Sequence, residues 1–214
     1  MLKIFLIAIL FITQAPLFAA QTARIEYIPQ IDYSQINAEE MEKEAYGLYT
    51  IAMESTIAEE RERNIIKALG LYRALLSKEP ENVFYCLRLA ELYDIYGKDR
   101  YAKEFYYRAI TLRPDSYMPY EGFGNYYFAR TEYRRALKQY NKAYIKDSGI
   151  YNVNNKLGTI YQKLGDTQSS LKYFKEANEL RPSEELSAKI RLLEELNSSE
   201  TVYYQNTRIH FVED

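Results

Sequence analysis

Small and aromatic positions recur along this chain with a fixed period. Ala68, Ala102, Ala136 and Ser170 stand 34 residues apart, and Tyr72, Tyr106, Tyr140 and Phe174 keep the same spacing. Over the last three units further tracks join: Leu89, Phe123 and Leu157; Ala90, Gly124 and Gly158; Tyr93, Tyr127 and Tyr161; Ala109, Ala143 and Ala177. Pro80, Pro114 and Pro182 close three units, and Ser148 stands at that phase in the other. A single helical hairpin cannot bury its apolar face. Small residues where two helices touch, with aromatics filling the next groove, therefore predict an all-α solenoid of stacked antiparallel helix pairs.

The best-matched unit reads Cys86, Leu89-Ala90, Tyr93, Gly97, Ala102, Tyr106, Ala109, Pro114. The next reads Tyr120, Phe123-Gly124, Tyr127, Ala136, Tyr140, Ala143, and the last Leu157-Gly158, Tyr161, Gly165, Ser170, Phe174, Ala177, Pro182. This pattern resembles the tetratricopeptide repeat family over about two thirds of the chain. The resemblance implies repeats at 83–116, 117–150 and 151–184, coiled into a right-handed superhelix. It also implies a concave groove, lined by the first helix of each repeat, that takes extended peptides or partner helices. The stretch 49–82 matches only through Ala68, Tyr72 and Pro80, with Glu59 where the Tyr belongs and Arg63 where the Gly belongs. Residues 37–82 are accordingly expected to hold a long N-terminal helix and a degenerate first repeat.

The flanks read differently. Residues 21–36 alternate weakly around Pro29, which suits an extended leader. Asn37 followed by Glu40 has the form of a capping box, with Ile36 and Met41 as its staple. The first helix is expected to run unbroken to about Glu60, and Glu59-Glu60-Arg61-Glu62-Arg63 to be its solvated end. Leu186, Ile190, Leu193 and Leu196 form one apolar stripe, so 185–197 is expected to be a C-terminal capping helix. The 198–214 tail, with Val202, Tyr203, Tyr204, Ile209, Phe211 and Val212, is β-prone. It is expected to pack along the groove, to pair with 21–36, or to stay mobile until it meets a partner.

Residues 1–20 place Lys3 before an apolar run, Ile4 to Ile12, and end in Ala19-Ala20, the layout of a signal peptide. Nine helical residues rise about 14 Å against a hydrocarbon core of about 30 Å. The expectation is an exported protein, periplasmic or extracellular. Phe18 is bulky for the residue two before a cut at Ala20. That keeps open an uncleaved anchor holding the chain at the membrane, facing outside the cytoplasm. No Cys follows the run, which closes the acylated-lipoprotein route.

Composition narrows the chemistry. With 28 basic and 30 acidic residues, no clustered basic face stands out, so nucleic acid is not an expected partner. The lone Cys86 falls at a core phase, and the lone His210 lies in the tail, so neither a Cys-His pair nor a zinc site can be assembled. Gly122-Phe123-Gly124 is a packing motif rather than a phosphate cradle. No catalytic, cofactor or metal residue is expected, and the chain reads as a non-enzyme. Of 23 tyrosines, Tyr85, Tyr96, Tyr107, Tyr117, Tyr133, Tyr144 and Tyr151 lie off the core tracks and are expected to be partly exposed.

The groove positions implied by the resemblance are Phe84, Leu87, Glu91 and Asp94; then Met118, Glu121, Asn125 and Phe128; then Asn152, Asn155, Thr159, Gln162 and Lys163. The lining changes from acidic and apolar to amide-rich and basic. Some relatives clamp a terminal carboxylate with Lys, Asn and Arg; Asn125, Asn155 and Lys156 fit that in part, but Glu121 opposes it. Glu60, Glu91, Asp94 and Glu121 would give one half of the groove a negative potential. The expected partner is therefore a protein or peptide with Lys or Arg beside apolar anchors that meet Phe84, Leu87, Met118 and Phe128. The expected function is an exported scaffold or assembly factor. The alternative is a cell-wall glycan binder or a helper of a wall-modifying enzyme, since tyrosine also stacks on sugars.

Overall fold

The computed structural model describes residues 37–210, with side chains to 198. Among the described residues the chain is all-α and falls into two units, divided between Pro80 and Glu81. The first holds α1 (Ala38–Glu54) and α2 (Ala58–Lys78). The second holds α3 (Val83–Ile95), α4 (Asp99–Leu112), α5 (Met118–Ala129), α6 (Tyr133–Lys146), α7 (Tyr151–Lys163), α8 (Thr167–Leu180) and α9 (Glu184–His210). Within the second unit α3 packs on α4, α5 on α6 and α7 on α8. Neighbouring hairpins join through α4–α5, α3–α5 and α6–α7, and α9 lies on α8. This is the stacked-hairpin solenoid that the 34-residue period implies.

The small-residue track sets how closely each pair approaches. A Cβ added at Gly158 would stand 2.6 Å from the Phe174 ring, and one at Gly124 would stand 3.0 Å from the Tyr140 ring. Both rings are fully buried, as are Ala102, Ala136 and Ser170. Ser170 adds a bond that alanine could not, its hydroxyl donating to the Gly158 carbonyl at 2.8 Å. One phase further along, different residues do the same job. The Tyr120 hydroxyl donates to the Pro114 carbonyl at 3.1 Å. At the matching position in the next repeat, the buried Asn154 amide donates to the Ser148 carbonyl at 2.7 Å. Each ties the start of a first helix to the loop that precedes it.

Each hairpin of the second unit turns through one left-handed residue: Gly97 at φ 73°, Thr131 at φ 58° and Gly165 at φ 80°. The amides of Lys98, Glu132 and Asp166 then reach back to the carbonyls of Tyr93, Tyr127 and Tyr161. This closes the helix end in the Schellman manner. Thr131 pays the steric cost of this conformation because it is β-branched.

The first unit departs from the sequence expectation. Helix α1 stops at Glu54 instead of running to about Glu60, because Ser55 is extended at φ −64°, ψ 130°. Side chains from the charge run close the corner: Glu60 accepts from the Ser55 hydroxyl at 2.9 Å, and Arg61 Nε donates to the Ser55 carbonyl at 3.0 Å. The charge run thus opens α2 rather than ending α1. Asp99, Tyr133 and Thr167 open the later second helices, and the matching phase here is Ile65, yet α2 begins at Ala58. The extra turns at its start account for Glu59 and Arg63 breaking the pattern. Met41, Ala45 and Ala52 of α1 are buried, as are Ile65, Ala68, Leu69, Tyr72 and Leu75 of α2. Asn37 caps α1, accepting from the Glu39 amide at 3.2 Å. The signal or anchor segment 1–20, the leader 21–36 and the Ile36 half of the staple lie outside the described residues.

At the other end, Leu186, Ile190 and Leu193 of α9 cluster with Phe174 and Ala177, so the last repeat is covered as expected. Leu196 is 51% exposed and does not join them. The helix does not end near 197 but continues to His210, replacing the β-prone reading of the tail over 201–210. Once a helix is nucleated each further residue adds a hydrogen bond, and β-branched residues oppose this by only tenths of a kcal/mol. Residues 211–214 lie outside the described residues. No described helix is long and apolar enough to cross a membrane.

Two substitutions test this packing by denaturant unfolding. Gly158→Ala should lose about 1–3 kcal/mol to overpacking, against about 1 kcal/mol returned by helix propensity, while Gly124→Ala should be closer to neutral. Equal effects at the two sites would show that the ring–glycine distance does not control the cost. Thr131→Gly should raise stability by about 0.5–1 kcal/mol by relieving the left-handed strain, and a loss would mean that the turn does not hold that conformation.

Candidate functional site

The thirteen candidate positions all fall on α3, α5 and α7, the first helices of the three repeats. Phe84 is 55% exposed and Met118 and Phe128 are half-buried, so they present apolar surface. Leu87 does not. It is buried, and its methyl lies 3.5 Å from where a Gly122 Cβ would stand, which makes it part of the α3–α5 seam rather than an anchor. Asn125 accepts from the Tyr140 hydroxyl at 2.6 Å, orienting the ring that packs over Gly124. Thr159 bonds back to the Asn155 carbonyl at 2.8 Å. Asn152, Gln162 and Lys163 are exposed.

Side chains from the three helices meet in two places. Glu121 of α5 hydrogen-bonds Asn152 of α7 and feels the charge of Glu91 on α3. Burial pushes its carboxyl above the usual range, Glu91 adds to the shift, and the Asn152 bond opposes it. Nearby, the Lys156 ammonium lies 4.2 Å from the centre of the Phe128 ring, whose edge meets Tyr133.

The expected acidic half is largely compensated. Glu91 pairs with Arg88 at 2.5 Å, and Asp94 with Arg130 at 2.5 Å. Glu60 lies in the first unit and bonds Ser55. Glu121 is left as the carboxylate whose neighbours are an amide and a like charge.

Arg130 is the residue that sequence reasoning missed. It follows α5, reaches Asp94 on α3 and Asp99 at the start of α4 at 2.6 Å, and stacks on the Tyr126 ring at 3.9 Å. The Arg130 bond holds the Asp99 carboxyl below its ordinary range, while burial pushes the Tyr126 phenol up to about 12. A signal existed: Asp94 and Asp99 lie 36 and 31 residues from Arg130, about one repeat away, where the period brings turns together.

Elsewhere, Cys86 is buried and burial raises its thiol pKa, which suppresses the reactive thiolate. Among the described residues no group of His, Cys, Asp and Glu could hold a metal ion. Of the seven off-track tyrosines, Tyr85 is buried, contrary to expectation, Tyr107 is 57% exposed and the others are half-buried.

Residues 151–184, which form α7, its turn and α8, match the family model described as Tetratricopeptide repeat. The chain carries a tetratricopeptide repeat. The crystal structure of MamA is similar at 20% identity, covering 73% of this chain and 95% of its own with a TM-score of 0.54. PilF of Pseudomonas aeruginosa is similar at 15% identity, over 78% and 74% of the two chains, with a TM-score of 0.57. PilW, a type IV pilus biogenesis factor, shares 22% identity over 64% and 62%, with a TM-score of 0.51. At these identities the likeness is one of tetratricopeptide-repeat fold. No curated protein matches the sequence.

The raised carboxyl of Glu121 gives a pH test. The folded chain holds this proton more tightly than the unfolded chain does, so the contribution favours folding at low pH. It is lost as pH rises through the ordinary carboxylate range to the raised value. Glu121→Gln removes that loss. Urea unfolding should show the variant gaining on the parent as pH rises above the ordinary carboxylate value of about 4, and a variant that instead falls behind the parent over that rise would refute the assignment.

Proposed function

We propose that this chain is an exported scaffold or assembly factor that holds a protein partner along the first-helix face of its repeats. The observation that carries this reading is the row of apolar side chains, Phe84, Met118 and Phe128, beside the uncompensated Glu121. Apolar anchors beside a half-buried charge suit a segment that inserts hydrophobic side chains and places one Lys or Arg near Glu121. Because Arg88 and Arg130 neutralise Glu91 and Asp94, steering is centred on one carboxylate rather than four. The likeness to PilW, a pilus biogenesis factor, supports an assembly role. The apolar segment before Gln21 supports export, with retention as a membrane anchor as the second form.

The test begins with crosslinking and affinity purification of the chain from its native host, whose N-terminus should read from about Gln21. Against the captured partner, Glu121→Gln should slow association and flatten its salt dependence. Phe84→Ala and Phe128→Ala should each speed dissociation by about tenfold, as loss of an apolar anchor does. A direct partner whose kinetics ignore all three changes binds elsewhere.

A further inference from the structure

Helix α6 carries Arg134, Arg135, Lys138, Lys142 and Lys146 and no acidic residue along its whole length. In a chain with formal net charge −2 this is a local excess of positive charge that the linear composition hides. The helix divides cleanly. Ala136, Tyr140 and Ala143 are buried, while Arg134, Lys138 and Lys142, spaced four apart, share the opposite side and are exposed. Two of the five cations are engaged: Arg135 with Glu132, and Lys146 with Asp115. Among the described residues Arg134, Lys138 and Lys142 form no ion pair; Lys142 lies 5.5 Å from the centre of the Tyr120 ring. A second observation falls on the same side. Ile145 is 77% exposed, more than any other large apolar residue among the described residues, and helical phase places it between Arg134 and Lys138 around the axis.

We propose that this outer side of α6 is a second docking surface, for an acidic protein segment in helical form. The three cations span about 12 Å along the axis. Carboxylates at the same four-residue spacing on a partner helix can face them one to one, and an apolar residue on that helix can cover Ile145. Charge complementarity selects the sign of the partner, and the exposed isoleucine selects a protein over a simple polyanion. Lipid surfaces are a poorer fit, because two of the five cations are already paired, whereas recognition of anionic membranes uses clusters of about four to eight cations or several inserted apolar groups. This surface is separate from the first-helix face, which uses α3, α5 and α7, and it has the opposite charge. A chain with both could hold a basic and an acidic partner at once.

The experiment uses the full chain and a fluorescein-labelled synthetic peptide with Glu at four-residue spacing and Leu on the adjoining helical stripe. Fluorescence anisotropy should show saturable binding. The triple substitution Arg134→Gln, Lys138→Gln, Lys142→Gln should weaken it at least tenfold and flatten the salt dependence. Ile145→Ser alone should weaken it severalfold while leaving the salt dependence unchanged, and Glu121→Gln should have no effect. Circular dichroism of the α6 variants should match the parent, since Arg134, Lys138, Lys142 and Ile145 are exposed. Equal binding by the triple variant overturns the proposal. So does equal binding of a scrambled peptide of the same composition, which would show unspecific attraction. Binding to phosphatidylglycerol vesicles without binding to the peptide would assign the face to a membrane instead and also overturn it.

Discussion

Two aromatic rings standing where a methyl group would otherwise be hold the second unit together. Tyr140 fills the space over Gly124 and Phe174 the space over Gly158, so these two hairpins close as tightly as they do because the facing helix has no side chain there. Interiors packed this tightly tolerate little change in volume. The neighbouring residues maintain the fit. Asn125 fixes the Tyr140 hydroxyl, and Ser170 ties its own helix to the Gly158 carbonyl. The Phe174 ring also clusters with Leu186, Ile190 and Leu193, so the contact that closes the last hairpin also shapes the surface on which α9 lies.

Much of this was legible in the sequence, because a repeat writes its packing several times over. The Gly124/Gly158 and Tyr140/Phe174 tracks are core contacts, and Leu186, Ile190 and Leu193 are the cap. The failures have physical causes. The Ser55 corner is made by Glu60 and Arg61 side chains, and charged residues in a run carry no turn signature. The helical course of 201–210 defeated a local propensity argument because a growing helix overrides weak preferences. Leu87 was placed in the groove by the resemblance and Tyr85 outside the core by lying off the tracks, yet both are buried, since spacing fixes a face only to within a residue or so.

Charge was the least legible feature. A list of carboxylates along the first helices suggests an acidic lining, but electrostatics depends on what lies beside each group in space. Arg88 is three residues from its partner and Arg130 a full repeat from one of its own, and together they cancel most of that field. The same blindness hid the excess on α6, whose five cations are diluted in a chain of near-balanced charge.

The seams between consecutive repeats in the second unit are built from different forces. Arg130 joins the first two through carboxylates on both α3 and α4, with side chains still partly open to water. The next seam rests on the Glu121–Asn152 bond and on Lys156 over Phe128. Ion pairs of the first kind are screened by dissolved electrolyte, whereas ring contacts and amide bonds are much less so. The stack is therefore an unevenly sprung object. Ionic strength would loosen the Arg130 part of the first seam while its Tyr106–Phe123 ring contact persists, so the curvature offered to a partner would depend on the surrounding medium at one end more than at the other.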